Sequence, residues 1–106
     1  MRESILSKAL NAYNKACRLG EKKGCYNLGV LYYEGKKVNK NYLNAAKLFM
    51  EACRLNMSEG CLNLGFMYAQ AQGVSQSASK AKEYFRRACD GGISLGCKNY
   101  SILNKN

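Results

Sequence analysis

The sequence Ala16-Cys17, followed at position 24 by Gly24-Cys25-Tyr26-Asn27-Leu28-Gly29, decides the fold of this chain because it occurs three times. The second copy is Ala52-Cys53 with Gly60-Cys61-Leu62-Asn63-Leu64-Gly65, and the third is Ala88-Cys89 with Gly96-Cys97-Lys98-Asn99-Tyr100. All 6 cysteines fall on this pattern, 8 positions apart within a pair and 36 apart between successive pairs. A fixed period of this length indicates a repeat protein, in which each unit buries its apolar surface against its neighbours.

The composition narrows the chemistry available to these 106 residues. Histidine, proline, tryptophan and threonine are absent, which excludes a histidine base, a histidine metal ligand and a threonine nucleophile. The 17 Lys and Arg against 7 Asp and Glu give a net charge of +10, which favours an anionic protein or peptide partner through long-range attraction. The basic residues are scattered without a nucleic-acid module signature, so we expect no specific nucleic-acid binding.

Targeting signals are weak in this sequence. No apolar run approaches the roughly 20 residues that cross a bilayer, so no membrane span is predicted. Residues 1–8 lack the apolar core and the cleavage site of a signal peptide. If the protein is exported, we therefore expect this chain to be the mature part or a fragment.

Apolar residues recur at spacings of three and four along six segments, which is the period of amphipathic helices. We predict helices at about 3–19, 22–34, 42–55, 58–70, 77–90 and 93–103, within a single repeat domain of residues 1–106. The first, third and fifth are named B helices here, and the second, fourth and sixth are named A helices. Ser4, Ser58 and Ser77 are predicted N-caps, and Gly20 is placed where a helix end favours a positive φ.

Short loops make successive helices antiparallel, and the regular offset stacks the hairpins. The predicted fold is therefore all-α, a right-handed superhelical solenoid of about three antiparallel hairpins with one concave face. Gly29 and Gly65 interrupt their helices at a cost near 1 kcal/mol relative to alanine, which we attribute to the close approach of a neighbouring helix. Alanines on each B helix flank one ring, as expected where rings insert between helices.

These residues resemble Sel1-like repeats, relatives of the tetratricopeptide repeat, and the added cysteine pairs resemble the Helicobacter cysteine-rich protein family. The matching residues are Ala45, Phe49, Ala52, Cys53, Gly60, Cys61, Asn63, Leu64, Gly65, Met67, Tyr68, Gly73 and Val74, with their counterparts Gly24, Cys25, Asn27, Leu28, Gly29, Leu31, Tyr32, Gly35 and Val38. The departures are Lys37 and Ala71 at loop glycines, and Ser101 and Asn104 on the last A helix. The resemblance implies a secreted α-solenoid, and some family members are described as penicillin-binding proteins with weak β-lactamase activity.

The cysteine spacing favours local disulfides. Cysteines eight apart in one continuous helix would be about 12 Å apart, too far to bond, whereas a hairpin brings the end of a B helix beside the start of the next A helix. Repeat symmetry then selects the pairs Cys17–Cys25, Cys53–Cys61 and Cys89–Cys97 among the possible pairings. A four-thiolate zinc site and free buried thiols remain alternatives. The disulfide interpretation predicts a secreted or periplasmic protein, with no metal and no cofactor.

One serine needs to be considered as a nucleophile. Ser77-Ala78-Ser79-Lys80 matches the serine-x-x-lysine pattern of serine β-lactamases, but the two companion motifs are missing. We interpret Ser77 as a helix N-cap and predict no catalytic residue and no efficient hydrolase. A penicillin-binding protein with weak β-lactamase activity stays the alternative function, on family resemblance.

Binding is the favoured function, through the A helices that line the concave face of such solenoids. The predicted peptide-binding residues are Tyr26, Asn27, Val30, Tyr33, Leu62, Asn63, Phe66, Lys98, Asn99 and Ile102. Side-chain amides can both donate to and accept from an extended peptide backbone, and the rings supply apolar contact. Alternatively, the three asparagines hold adjacent repeats in register, and the rings pack between repeats. A third hypothesis is a structural segment whose end helices contact further repeats.

Overall fold

The computed structural model describes residues 4–105. Within this range the chain forms six α-helices joined by short loops, without a β-strand. The helices are α1 (Ile5–Arg18), α2 (Lys22–Glu34), α3 (Tyr42–Arg54), α4 (Ser58–Gln70), α5 (Ala78–Asp90) and α6 (Ser94–Asn104). The B helices are α1, α3 and α5, and the A helices are α2, α4 and α6. Residue 3, where we predicted the first helix to begin, lies outside the described residues.

The B helices begin with a side-chain cap. Side-chain oxygens of Ser4, Asn41 and Ser77 accept hydrogen bonds from the backbone N–H three residues later, at 2.9, 3.0 and 3.1 Å. Each bond satisfies a donor that the first helical turn leaves unpaired. The predicted caps Ser4 and Ser77 are confirmed. The predicted cap Ser58 is wrong, because the tight preceding turn places Met57 at the N-cap of α4 and makes Ser58 its first helical residue.

The same tight turn joins each B helix to the following A helix. The N–H groups of Glu21, Met57 and Ile93 donate at 2.9–3.0 Å to the carbonyls of Ala16, Ala52 and Ala88, five residues earlier. The residue before each donor has a positive φ, with values of 87° at Gly20, 68° at Asn56 and 95° at Gly92. Only glycine and, less readily, asparagine adopt this conformation easily. The turn therefore recurs where the sequence repeats, and Gly20 has its predicted role.

Two kinds of close approach fix how the helices pack. A Cβ on Gly29 would lie 2.9 Å from the ring of Phe49, and one on Gly65 would lie 2.8 Å from the ring of Phe85. Both glycines thus make room for a ring from the next B helix, so the predicted close approach of a neighbouring helix is confirmed. Inside each hairpin, a Cβ on Gly60 would meet the methyl of Ala52 at 2.9 Å. The alanine methyl therefore packs against the backbone of its own hairpin, whereas the ring of the same B helix packs against a glycine of the preceding A helix.

The helices stack into an elongated body of 56 × 23 × 18 Å. The main contacts join helices that are adjacent in sequence, from α1 with α2 through to α5 with α6. Phe49, Leu64, Met67 and Phe85 form the centre of the core and are at most 2% exposed. The predicted all-α solenoid of disulfide-bonded hairpins is confirmed. None of the helices in residues 4–105 has the length and apolar character needed to cross a bilayer.

The first helix is the least buried part of the solenoid. It is strongly amphipathic, yet none of its residues is buried. Tyr13 is half-buried, whereas its counterparts Phe49 and Phe85, one and two periods later, are 1% and 2% exposed. The difference arises because α3 and α5 each pack against an A helix on both sides, while α1 packs mainly against α2.

Candidate functional site

Each hairpin is tied by one disulfide at its closed end. The pairs are Cys17–Cys25, Cys53–Cys61 and Cys89–Cys97, with Cα–Cα distances of 4.5, 4.7 and 4.5 Å. The three pairs account for all 6 cysteines of the sequence, and none is free. The disulfides use every thiol that a zinc site would need, so their role in this structure is to hold each hairpin closed.

The A helices form a groove on one side of the solenoid. We name the space between α2 and α4 the A-helix groove. It encloses about 340 Å³, and its lining residues are Tyr26, Val30, Tyr33, Glu34, Phe49, Asn63, Phe66 and Gln70. Five of these were predicted from the sequence as peptide-binding residues. The lining residues on α2 span eight positions, so the groove is about 12 Å long, which matches three to four residues of an extended peptide.

Buried phenylalanines position the walls of the groove. Phe49 forms the floor, with its ring centroid 5.6 Å from that of Tyr26 and 6.3 Å from that of Tyr33. Phe66 packs edge-on against Phe85, with ring centroids 5.0 Å apart. Aromatic pairs at these distances are attractive, and rings held in this way lose little freedom when a ligand binds. The groove therefore presents rigid apolar walls that remain half-exposed.

The three repeated asparagines have different environments. The Nδ2 group of Asn63 donates to the hydroxyl of Tyr26 at 3.4 Å, across the gap between α2 and α4. Asn99 Nδ2 donates at 2.9 Å to the carbonyl of Leu95 in its own helix. Asn27 is exposed and lies outside the groove lining. Of the three, Asn63 lines the groove and also links two repeats through its contact with Tyr26.

The remaining predicted residues are not part of the groove lining. Leu62 packs against the core from α4, and Lys98, Asn99 and Ile102 lie on α6. Ile102 is 51% exposed, so this end of the A-helix side carries an open apolar side chain.

Sequence reasoning missed three lining residues, Glu34, Phe49 and Gln70. Phe49 was assigned to the core, which it also occupies. Glu34 and Gln70 are one period apart, at the ends of two A helices, and Glu34 also follows Tyr26 and Val30 at i+8 and i+4. That helical spacing was the signal that could have placed Glu34 on the groove face.

A second cleft is formed by residues of α1, α2 and α3. It encloses about 460 Å³, and its lining residues are Leu10, Asn11, Asn14, Leu28, Tyr32, Asn44, Lys47 and Leu48. One aromatic side chain lines this cleft, whereas four line the A-helix groove. Because aromatic side chains dominate binding energy at protein interfaces, the groove is the better candidate site.

Ser77 is engaged as a helix cap. Its Oγ accepts a hydrogen bond from the backbone N–H of Lys80 at 3.1 Å. The Nζ of Lys80 lies 5.4 Å from the centroid of the Tyr68 ring, where the cation is attracted to the ring face. Tyr68 in turn stacks on Tyr84, with ring planes 7° apart. Both polar side chains of the serine-x-x-lysine match thus have structural partners.

Replacing Ser77 with alanine is expected to lower the free energy of unfolding by about 1 kcal/mol, because α5 loses its N-cap. Urea denaturation followed by circular dichroism measures this change. The control is Ser79→Ala, which changes an exposed helical position and leaves the Ser77 cap in place. It should change the free energy of unfolding by no more than about 0.5 kcal/mol. Acylation of the native protein by a labelled penicillin, lost in Ser77→Ala, would contradict the structural role.

Comparisons with known proteins agree with this architecture. The family model of the Sel1 repeat matches residues 22–57 and 58–93. Each match covers an A helix and the following B helix, so the disulfides Cys17–Cys25, Cys53–Cys61 and Cys89–Cys97 fall across the ends of the matched units.

Solved structures and curated relatives share the fold. Helicobacter pylori cysteine-rich protein B superposes with a TM-score of 0.84 at 35% identity, covering 90% of this chain and 71% of its own. A protective antigen of uropathogenic Escherichia coli superposes with a TM-score of 0.85 at 31% identity, covering 92% of this chain and 21% of its own. The Helicobacter pylori protein named "Putative beta-lactamase HcpC" is 50% identical over 40 residues, which are 38% of this chain and 14% of that protein. The repeat pattern, the stacked hairpins and these matches together show that the chain belongs to the Sel1 repeat family.

Proposed function

We propose that this disulfide-bonded Sel1-repeat protein binds an extended peptide segment of a partner protein in the A-helix groove, on the concave face of the solenoid. The observation that carries the proposal is the groove itself, in which three half-exposed aromatic side chains surround a buried phenylalanine floor. Sel1 repeats are protein-interaction modules, which supports a protein or peptide as the ligand. We further propose that residues 1–106 act as one repeat domain.

The polar groups of the groove suit a peptide backbone. The amides of Asn63 and Gln70 stand at opposite ends of the α4 wall, and each amide can donate and accept hydrogen bonds. Tyr33 donates its hydroxyl proton to Oε1 of Gln72 at 3.1 Å, which fixes the ring at the edge of the groove. A ligand three to four residues long can therefore meet apolar walls along its length and an amide at each end.

We also propose that the protein works in the periplasm or outside the cell. Three disulfides in 106 residues would be reduced in most cytosols, whereas oxidising compartments maintain them. The similarity to Helicobacter pylori cysteine-rich protein B supports the same placement. Further repeats, if the natural protein contains them, would extend the same face.

The β-lactamase alternative receives less support from the described residues. The name of HcpC suggests that activity, but the match covers 14% of that protein. Ser77 Oγ accepts the hydrogen bond that caps α5, and Lys80 Nζ lies over the ring of Tyr68, so both side chains of the serine-x-x-lysine match have structural partners. Under the binding proposal, we expect the native protein and a Ser77→Ala variant to hydrolyse nitrocefin at the same rate.

Replacing Phe66 with alanine is expected to weaken peptide binding about thirtyfold, because an aromatic hot spot at the centre of an interface contributes about 2 kcal/mol. The probe is a random heptapeptide library displayed on phage and selected on the immobilised protein. Enriched sequences are then synthesised with a fluorescent label and titrated by anisotropy.

The matched control is Met50→Ala on α3, a large apolar side chain that is 40% exposed and outside the groove lining. It should leave the affinity unchanged. Circular dichroism checks that Phe66→Ala stays folded, since Phe66 also packs against Phe85. Equal binding of the enriched peptides to native protein and Phe66→Ala, or no enrichment at all, would contradict the proposed function.

A further inference from the structure

One end of the A-helix groove combines the C-terminal ends of two helices with a carboxylate. The helices α2 and α4 end there, at Glu34 and Gln70, and are followed by left-handed caps at Gly35 and Ala71. The last carbonyls of a helix carry a partial negative charge of about half an electron, because their dipoles align with the helix axis. Two such ends side by side contribute a negative potential at this end of the groove, although the protein as a whole has a net charge of +10.

The carboxylate of Glu34 strengthens this potential. An acidic residue in the last turn of a helix is unfavourable, because its charge lies beside the negative end of the dipole. Glu34 is exposed and forms no ion pair within residues 4–105, although Lys36 and Lys37 follow closely in the chain. Its equivalent one period later is the neutral Gln70. The first repeat thus carries an uncompensated charge where the second does not.

The basic residues of the chain are absent from the lining of this groove. Glu34 is the charged member of the lining, and the other lining residues are neutral. Lys40 lies outside the lining, with its Nζ 5.3 Å from the centroid of Tyr42, a ring that packs against Tyr33 with centroids 5.2 Å apart. The net charge of +10 therefore acts on the approach of a partner at long range, whereas contact in the groove depends on the local negative charge.

The apolar wall and the carboxylate are separated by the length of a long basic side chain. Val30 lies one helical turn before Glu34, about 6 Å along α2, and Phe66 faces it from α4. Lysine and arginine have an aliphatic stem of this length and a cation at its end. Such a side chain would lie along Val30 and Phe66 and bring its cation to Glu34, near the ring of Tyr33, which also attracts cations.

We propose that the groove selects a peptide that carries a lysine or arginine side chain, with its stem on Val30 and Phe66 and its cation on Glu34. The proposal rests on the peptide-binding function above and adds the chemistry of the recognised residue. It differs from the anionic partner that the net charge predicts, because it concerns the one side chain in contact and not the total charge of the partner.

The test compares selections from the same heptapeptide phage library on the native protein and on Glu34→Gln. We expect lysine and arginine to be enriched at one fixed position with the native protein, and this enrichment to disappear with Glu34→Gln while the apolar preference remains. The control is Glu59→Gln, an exposed carboxylate in the first turn of α4, at the opposite end of the A helices. It should leave the basic preference intact.

Soluble peptides then measure the coupling. Replacing the selected basic residue of the peptide with glutamine should weaken binding to the native protein about fivefold at low salt, as for an exposed ion pair, and should not weaken binding to Glu34→Gln. The fivefold difference should vanish at about 1 M salt, where charges are screened within a few ångströms.

The outcomes separate the two proposals. Binding that depends on Phe66 but shows no basic preference, or an equal loss in native protein and Glu34→Gln, would overturn this inference and leave the peptide-binding function standing. Binding that depends on neither Phe66 nor Glu34, or a library without enriched peptides, would overturn both.

Discussion

Replacing both Cys53 and Cys61 with alanine is expected to lower the free energy of unfolding by about 3 kcal/mol. The disulfide closes a loop of about nine residues, and the chain-entropy model gives roughly 2.5 kcal/mol for a loop of that size. The pair also lies in the core, with Cys53 and Cys61 at 1% and 3% exposure, so the loss of two buried sulfur atoms adds to the effect. Urea denaturation under non-reducing conditions, followed by circular dichroism, measures the change.

The control is the double variant Cys17→Ala with Cys25→Ala at the end of the solenoid. Its loop has the same length, so the entropic contribution is the same, but Cys17 is only half-buried. We expect replacing the end pair to lower the free energy of unfolding slightly less than replacing the central pair. Reduction of all three disulfides should lower stability by about 8 kcal/mol, which is comparable with the whole stability of a small domain. A central variant within about 0.5 kcal/mol of the native protein would show that packing alone holds the hairpins.

Replacing Gly73 with alanine is expected to lower the free energy of unfolding by about 3 kcal/mol. Gly73 has a φ of 73°, a conformation that costs a residue with a Cβ about 1 kcal/mol. A Cβ there would also lie 2.7 Å from the amide nitrogen of Leu43 and closer still to the carbonyl of Tyr42. Both are backbone atoms at the start of α3, so the clash is relieved only by moving the loop or the helix, at about 2 kcal/mol.

Gly92→Ala separates the two causes. Gly92 has a φ of 95°, but a Cβ there would meet no atom within 4 Å. This variant should therefore lose about 1 kcal/mol, from the backbone conformation alone. Thermal and urea unfolding of both variants give the comparison. Equal losses at the two positions would show that the contact between the loop and α3 contributes nothing to stability.

The sequence predicted most of the fold because the same helix-forming, capping and glycine positions recur in each repeat. The amphipathic period identified the helices, Ser4 and Ser77 identified two helix starts, and Gly29 and Gly65 indicated where a neighbouring helix approaches closely. Ser58 was misplaced by one residue, because the tight turn that fixes the start of α4 depends on a positive φ at Asn56, which composition does not reveal.

The candidate site could be predicted only in part. Tyr26, Val30, Tyr33, Asn63 and Phe66 were identified because they share one face of their helices. The threefold equivalence of the asparagines did not extend to their contacts, since Asn63 meets Tyr26 across a groove while Asn99 turns back to Leu95. Sequence equivalence fixes a position on a helix, but the neighbour that a side chain meets depends on what the adjacent repeat places there.

The sequence by itself determined the helices and the hairpins and favoured the local pairing of cysteines, because these follow from periodicity and from distances along the chain. The structure shows the three bonded pairs. Only the tertiary structure decided that a groove opens between α2 and α4, that Phe49 forms its floor and that Glu34 stands uncompensated at its end. These features join residues from separate helices, and their distances follow from how Gly29 and Gly65 let the rings of α3 and α5 approach. The physical reason is that close packing acts between neighbours in space, which a one-dimensional pattern of residues does not specify.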